Sequence, residues 1–407
     1  MKKIILLFTL FSCFQLFSQN EKTTLKIYLD CESCDITYIK QNLSYVDYVR
    51  DQKYADVHLL FRTQRNGSGG TFYEIEFIGQ NNYKNDNYKL SFSTKTDTTE
   101  NEVREMIMKY IKLGLVRYWV KNGDDDKISV QVKKERTKEV KENDPWNKWV
   151  FELGIRGYFY GQETSKDRNL NFSITAKQVT EKNKFYLRAS LNDSKSVFTY
   201  DGTDIISNQK STNVYLYDVV SINKHWSIGG FSNMGKSTYS NKSFYASLKP
   251  AIEYNFFSYE ESSKKQLTLS YKVGGVYNKY FETTIFNKEN EFLWEHELNL
   301  GGSVVQKWGN FTSQVSYESF LHDTSLHAFS FYVGANFRIF KGFSFNVNGN
   351  YSITNNQINL AAGDLSLEEL LLRQQQVKSG YNYFFNIGLS YSFGSMFNTI
   401  VNPRFNF

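Results

Sequence analysis

From residue 148 to residue 395 apolar and polar side chains alternate with a period of two, segment after segment, and this restricts the chain more than any other feature. Successive side chains of a β-strand point to opposite faces. Tyr381, Tyr383, Phe385, Ile387, Leu389, Tyr391 and Phe393 therefore share one face, while Asn382, Phe384, Asn386, Gly388, Ser390, Ser392 and Gly394 share the other, mostly small and polar. Phe329, Phe331, Val333, Ala335, Phe337 and Ile339 oppose Ser330, Tyr332, Gly334, Asn336 and Arg338 in the same way. Twelve such segments follow one another, starting near residues 148, 168, 184, 211, 226, 243, 265, 293, 310, 326, 343 and 379. A soluble two-sheet sandwich also alternates, but its strands are typically about five or six residues long. These run longer, and their oily face is rich in Tyr and Phe. Across the chain, 29 Tyr, 34 Phe and 6 Trp make 17% aromatic residues, yet mean hydropathy stays at −0.50. Lipid offers no hydrogen-bond partner, so a sheet facing it must close on itself. The expectation is a twelve-stranded antiparallel transmembrane β-barrel. Three prolines in 407 residues suit long ladders, and no apolar run of membrane-spanning length follows the N-terminus.

Connections between the segments read as alternately short and long. Short turns fall at residues 181–183, 223–225, 307–309 and 341–342, and longer links at 201–210, 283–292 and 360–378. That asymmetry is expected of outer-membrane barrels, with short periplasmic turns and longer outside loops. The inward face carries Glu152, Arg156, Lys177, Arg188, Lys249, Glu253, Lys272, Glu295, Glu297, Lys307 and Arg338 as lumen-lining charges. They either pair across a filled interior or line a narrow pore, where rows of basic groups favour anions. In the last link, Ser366 and Glu369 form a capping box, and Leu367, Leu370, Leu371 and Gln374 share a helical face. Such a helix would fold over the barrel mouth or meet a partner.

Before the barrel the sequence is of a different kind. Residues 1–18 read as a cleavable signal peptide, with Lys2 and Lys3 ahead of a short apolar stretch. Residues 19–120 form a small α+β domain, residues 121–147 a charged linker, residues 148–395 the barrel and residues 396–407 a C-terminal tail. In the α+β domain, extended segments lie over residues 25–29, 45–49, 55–63, 72–78 and 88–93, with a short helix over 35–43. Asn66 through Gly70 supplies a hairpin turn. A longer helix is capped by Thr99 with Glu102, presents Val103, Met106, Ile107, Tyr110 and Ile111 on one face, and can end at Gly114.

Candidate chemistry is thin. Cys31 and Cys34 form a disulfide, a redox pair or part of a metal site; two thiols alone fall two ligands short of tetrahedral zinc. Gly67-Ser68-Gly69-Gly70 lacks the Lys-Ser/Thr of a phosphate cradle. Of the barrel histidines His225, His296, His322 and His327, His296 lies on the outward side with Trp294 and Leu298, but no serine stands two residues from it. No catalytic residue, metal or cofactor is expected. The net charge of +6, from 48 basic and 42 acidic residues, is too mild for a nucleic-acid partner.

The layout resembles exported outer-membrane β-barrel proteins of the Bacteroidetes type, a poorly characterised family with a small N-terminal periplasmic domain. The resemblance lies in Asp30-Cys31-Glu32-Ser33-Cys34-Asp35, Tyr45-Val46-Asp47-Tyr48-Val49-Arg50-Asp51, Ala55-Asp56-Val57-His58, Gly67-Ser68-Gly69-Gly70, Phe77-Ile78-Gly79-Gln80, Leu113-Gly114-Leu115-Val116-Arg117-Tyr118 and Val401-Asn402-Pro403-Arg404-Phe405. It implies location and architecture, and no activity. The expected function is a non-enzymatic outer-membrane barrel that anchors a periplasmic interaction domain, its partners being outer-membrane lipid and a periplasmic or envelope protein. The alternative is a narrow channel for small, anionic solutes.

Overall fold

The computed structural model describes residues 24–131, 144–340, 342–363, 375–394 and 404. The expected signal peptide, the middle of the expected charged linker, most of the helix expected over 365–376 and nearly all of the expected C-terminal tail lie outside the described residues.

The first unit is a five-stranded sheet with two helices on one face. Its elements are β1 (Lys26–Asp30), α1 (Ile36–Asn42), β2 (Asp47–Tyr48), β3 (Val57–Arg65), β4 (Thr71–Gly79), β5 (Asn87–Ser93) and α2 (Glu100–Lys121). The strand order is β2-β1-β3-β4-β5, with β1 parallel to both neighbours and the rest antiparallel. Alternation along β3 explains the layering. Val57, Leu59 and Phe61 join the core under the helices with Ile75, Phe77, Ile107, Ile111, Leu115 and Tyr118. His58, Leu60 and Arg62 point to the opposite face, and they too are buried. Something must therefore cover that face.

Helix α2 starts as its sequence prescribes, since Thr99 and Glu102 each accept the other's backbone N–H. It does not stop at Gly114. It continues two turns to Lys121. Gly114 sits there because a Cβ would lie 1.9 Å from Cζ of the buried Phe77 ring. Cys31 and Cys34 form a disulfide at the head of α1, and among the described residues no cluster suited to a metal ion occurs.

The second unit is a twelve-stranded antiparallel meander: β6 (Trp149–Gln162), β7 (Ser165–Val179), β8 (Asn183–Tyr200), β9 (Thr203–Ser221), β10 (Trp226–Ser237), β11 (Lys242–Asn255), β12 (Lys265–Tyr280), β13 (Asn290–Gln306), β14 (Gly309–Phe320), β15 (Asp323–Phe340), β16 (Phe343–Thr354) and β17 (Tyr381–Tyr391). Each strand pairs with its sequence neighbours, and β6 and β17 stand at the two ends of the order. The protein is thus mainly β, a twelve-stranded antiparallel sheet preceded by a small α+β domain, as the alternation requires.

This sheet is strongly curled. Strands four places apart in a flat sheet would lie about 19 Å from each other, yet Tyr215 on β9 is within electrostatic reach of Glu297 on β13. Asn213 on β9 reaches Tyr245 Oη on β11 at 2.8 Å. The concave face carries the small and polar set. The convex face carries the apolar set, with Leu153 and Ile155 79% and 81% exposed.

The expected alternation of short and long links is corrected at one end. Strand β9 begins at Thr203, because Asp201 and Gly202 both take positive φ, 48° and 74°, and close a two-residue hairpin. That is the primed turn favoured between twisted antiparallel strands. Residues 203–210 are strand, not loop. The long links at that end are 281–289 and 355–380.

Candidate functional site

Two features carry the functional chemistry: the seam between the α+β domain and the curled sheet, and the polar concave face.

The buried second face of the five-stranded sheet lies against the strand ends that carry the 180–182, 256–264 and 307–308 connections. Asp30, at the end of β1, accepts two hydrogen bonds at 2.5 Å from the Arg338 guanidinium near the end of β15. A bidentate fork of this kind fixes orientation as well as distance. His58 Nε2 donates to Asp30 Oδ2 at 2.9 Å. Tyr28 stands edge-on to His58 and beneath Arg338, at 5.1 and 5.2 Å. Glu32 accepts from Asn310 at 2.7 Å. On the same face Arg62 bridges Glu74 and Glu76 at 2.9 and 2.5 Å, and Glu76 is within reach of Lys264. Across the opening, the β3–β4 hairpin meets β7, where Gly67 packs against Val179 and Gly69 against the Lys177 amine. The seam leaves a cleft of only 140 Å³ beside Arg338. Contacts from β7 round to β15 mean that the domain lies over this mouth of the curled sheet.

Burial lowers the His58 pKa more than Asp30 raises it, so the ring is neutral; its Nδ1 is buried with no partner. Burial pushes the Asp30 carboxyl up, but the hydrogen bonds from Arg338 and His58 outweigh it and hold the group below its usual value. Both shifts act in one direction. A docked His58 that takes a proton less readily than free imidazole, near 6.5, favours docking above that pH and opposes it as pH falls through it. Asp30 adds a further loss below its ordinary value near 3.9. Amide exchange in β3, corrected for its intrinsic rate, should be slow at pH 7.5 and accelerate progressively below about pH 6.5. Unchanged protection down to pH 5 would remove His58 from the docking balance.

The predicted lumen charges divide into four groups. Lys249 meets Glu295 at 2.7 Å and Lys272 meets Glu297 at 3.0 Å, both pairs well shielded from solvent. Lys249 reaches over β12 to β13 because Gly274, the residue between, has no side chain. Glu253 lies beside Ser227 and Ser270 in the ladder. Glu152, Arg156, Lys177 and Arg188 lie on β6–β8, where Glu152 and Arg188 flank Thr175; among the described residues none of these four is in an ion pair. Arg338 belongs to the seam, and Lys307 lies in the 307–308 turn beside it, not on a strand.

Several residues of the site were not singled out from sequence. Glu318 accepts from Asn356 at 2.7 Å and shares the inward parity that marked the other charges; Lys242, which faces the same region from β11, has the opposite parity to Lys249 and is brought inward by the register shift between Lys242 and Phe244. Asp30 carried no signal of its partner, 308 residues away. On the convex face, His296 Nε2 lies 2.7 Å from Ser319 Oγ, with Tyr271 Oη 3.3 Å from Nδ1. The serine comes from the adjacent strand, where His296 pairs with Ser319, and spacing along one strand cannot reveal it. Ser319 is 1% exposed.

No family model matches the chain, and no curated protein matches it. Among solved structures, it is similar to the NanC porin at 10% identity, over 60% of this chain and 100% of that one, with a TM-score of 0.29. A porin structure refined at 1.8 Å matches at 10% identity over 82% and 97%, also at 0.29. The translocator domain of the autotransporter NalP from Neisseria meningitidis matches at 12% identity over 60% and 88%, at 0.24. Likenesses this distant carry no functional argument.

Proposed function

We propose that the chain is a non-enzymatic outer-membrane β-barrel, closed between β6 and β17, that holds its α+β domain across the periplasmic mouth and presents that domain's helices to an envelope partner. The Asp30–Arg338 fork carries this reading, because it ties the domain to the barrel by its sheet face and leaves the helical face pointing away. The exposed aromatic and aliphatic convex face supports a hydrocarbon surround. On the helical side a groove of 810 Å³, lined by Leu43, Tyr45, Met108, Leu113, Trp119 and Val130, is the surface for the partner. Leu113 and Val130 are exposed, so Leu113→Asp with Val130→Asp leaves the domain folded. Gentle solubilisation should bring a periplasmic partner through purification with the native chain and lose it with the double variant. A chain that emerges alone in both cases refutes the anchoring role.

The channel reading draws support from the polar concave face. Its anion preference finds less, because Lys249, Lys272 and Arg338 are each matched by a carboxylate. With the α+β domain lying over one mouth, the native protein should give no steady single-channel current; a stable open conductance would favour the channel.

The Ser319–His296 contact does not alter the non-enzymatic reading. The hydroxyl is sealed, and a phenol, unlike a carboxylate, supplies no negative charge to orient the imidazole. A fluorophosphonate probe should leave the protein unlabelled. Labelling that Ser319→Ala abolishes would make the chain a serine acyl-transfer enzyme instead.

A further inference from the structure

We propose that the lumen, at the end remote from the α+β domain, contains a binding site for an uncharged, multiply hydroxylated small molecule of mono- to disaccharide size. A chamber of 480 Å³ opens there between β9 and β13, within the roughly 300–1,000 Å³ of small-molecule sites. Ser211, Asn213, Asn233, Tyr245, Ser247 and Asn278 line it, and Val276 is the one aliphatic side chain among its lining residues.

The chamber is bounded at both ends. Its floor is the Lys249–Glu295 pair. Its roof is formed by residues 358–360 and 376, which fold inward: Asn359 donates to the Ser240 carbonyl at 3.0 Å and to Gln376 at 2.8 Å, and Ile285 donates to the Leu360 carbonyl at 2.9 Å. A smaller space of 210 Å³ beneath this roof shares the wall of Lys242, Asn278 and Glu295.

Two observations select the ligand. The charged groups are already engaged with one another, since Lys249 is paired and Lys242 stands among Glu291, Glu295 and Glu318. An anion finds no free cation there, and each of the three carboxylates already accepts a hydrogen bond, from Tyr280, Lys249 and Asn356. The hydrogen-bonding capacity is not balanced. Asn278 is 1% exposed, and its Oδ1 has no donor. A buried acceptor left unmade costs free energy that a ligand O–H restores. Asn213 spends its amide N–H groups on Asn233 and Tyr245, which leaves its oxygen and the Asn233 amide for further hydroxyls.

Full-length protein in a detergent without a sugar headgroup, such as lauryldimethylamine oxide, is titrated calorimetrically with glucose, maltose, gluconate and glucosamine. Glucose or maltose should bind saturably, at least tenfold more tightly than either charged analogue. Asn278→Leu should weaken that binding at least tenfold, and Asn233→Ala, on the opposite wall, should weaken it independently. Heat-dependent gel migration confirms that each variant is folded. Absence of saturable binding by both neutral sugars would mean the chamber holds water alone and overturns the proposal. Binding indifferent to both variants, or tightest for gluconate or glucosamine, overturns it equally. None of these outcomes depends on whether the helical groove has a partner.

Discussion

Arg338→Glu should release the α+β domain from the barrel while both remain folded. The substitution places a second carboxylate against Asp30, which the structure shows accepting both hydrogen bonds of the guanidinium. Removing one partner of a buried, hydrogen-bonded ion pair costs roughly 3–5 kcal/mol. Arg338 is partly solvated, which lowers this to about 2–4 kcal/mol. That is a shift of roughly one to three orders of magnitude in the docked population. Amide exchange should accelerate on the covered face, at β1 and β3, and stay slow under the helices at Ile107, Ile111 and Leu115. Arg338→Glu combined with Asp30→Arg should recover much of the protection. If β3 stays protected in the single variant, the fork does not hold the domain, and the anchoring geometry fails with it.

Gly114 decides between two accounts of a helical glycine, and the sign of the effect separates them. If it were an indifferent interior position, Gly114→Ala would stabilise α2 by up to about 1 kcal/mol. The structure requires the opposite. The new Cβ would fall inside the Phe77 ring, which is fully buried and stacked on Tyr88 at 5.0 Å, so the ring has nowhere to retreat. Overpacking of this kind costs about 1–3 kcal/mol and sometimes more. Gly114→Ala should destabilise the domain by about 2 kcal/mol, and Gly114→Val by at least about 3 kcal/mol. Denaturant titration followed by exchange at β4 and α2 measures both. A stabilised Gly114→Ala variant would show that the helix does not pack where it stands in the structure.

Much of the architecture could be read before any coordinates, because its causes are local. A strand shows its two faces in neighbouring residues, so Tyr381 to Phe393 reveal an oily and a polar side without reference to any other segment. Thr99 and Glu102 lie three residues apart and interact within one turn. Hairpins are equally local, yet Asp201-Gly202 is not marked by alternation: from Thr203 to Lys210 the segment is polar except for Ile205 and Ile206, which fall on opposite faces. Neither face there is consistently apolar, and the ladder to β8 makes the strand.

The concave charges were found by parity, but their pairing was not. Whether Lys249 meets Glu295 depends on register across β12 and on a glycine at the crossing point. Lys272 and Glu297 likewise need the β12–β13 register. The Ser319–His296 contact needs two strands in one alignment. The Asp30–Arg338 fork needs two separately folding units brought face to face.

The sequence determined which residues face which side, how many strands form and where α2 begins; each depends on backbone periodicity or on contacts within a single turn. Only the tertiary structure decided that Gly114 is a packing contact, that Lys249, Lys272 and Arg338 are each matched by a carboxylate, that Asn278 is left without a donor, and that the small domain lies on the barrel by its sheet. Those outcomes are set by distances between segments tens to hundreds of residues apart, and such distances exist only once the chain has curled and closed its contacts in space.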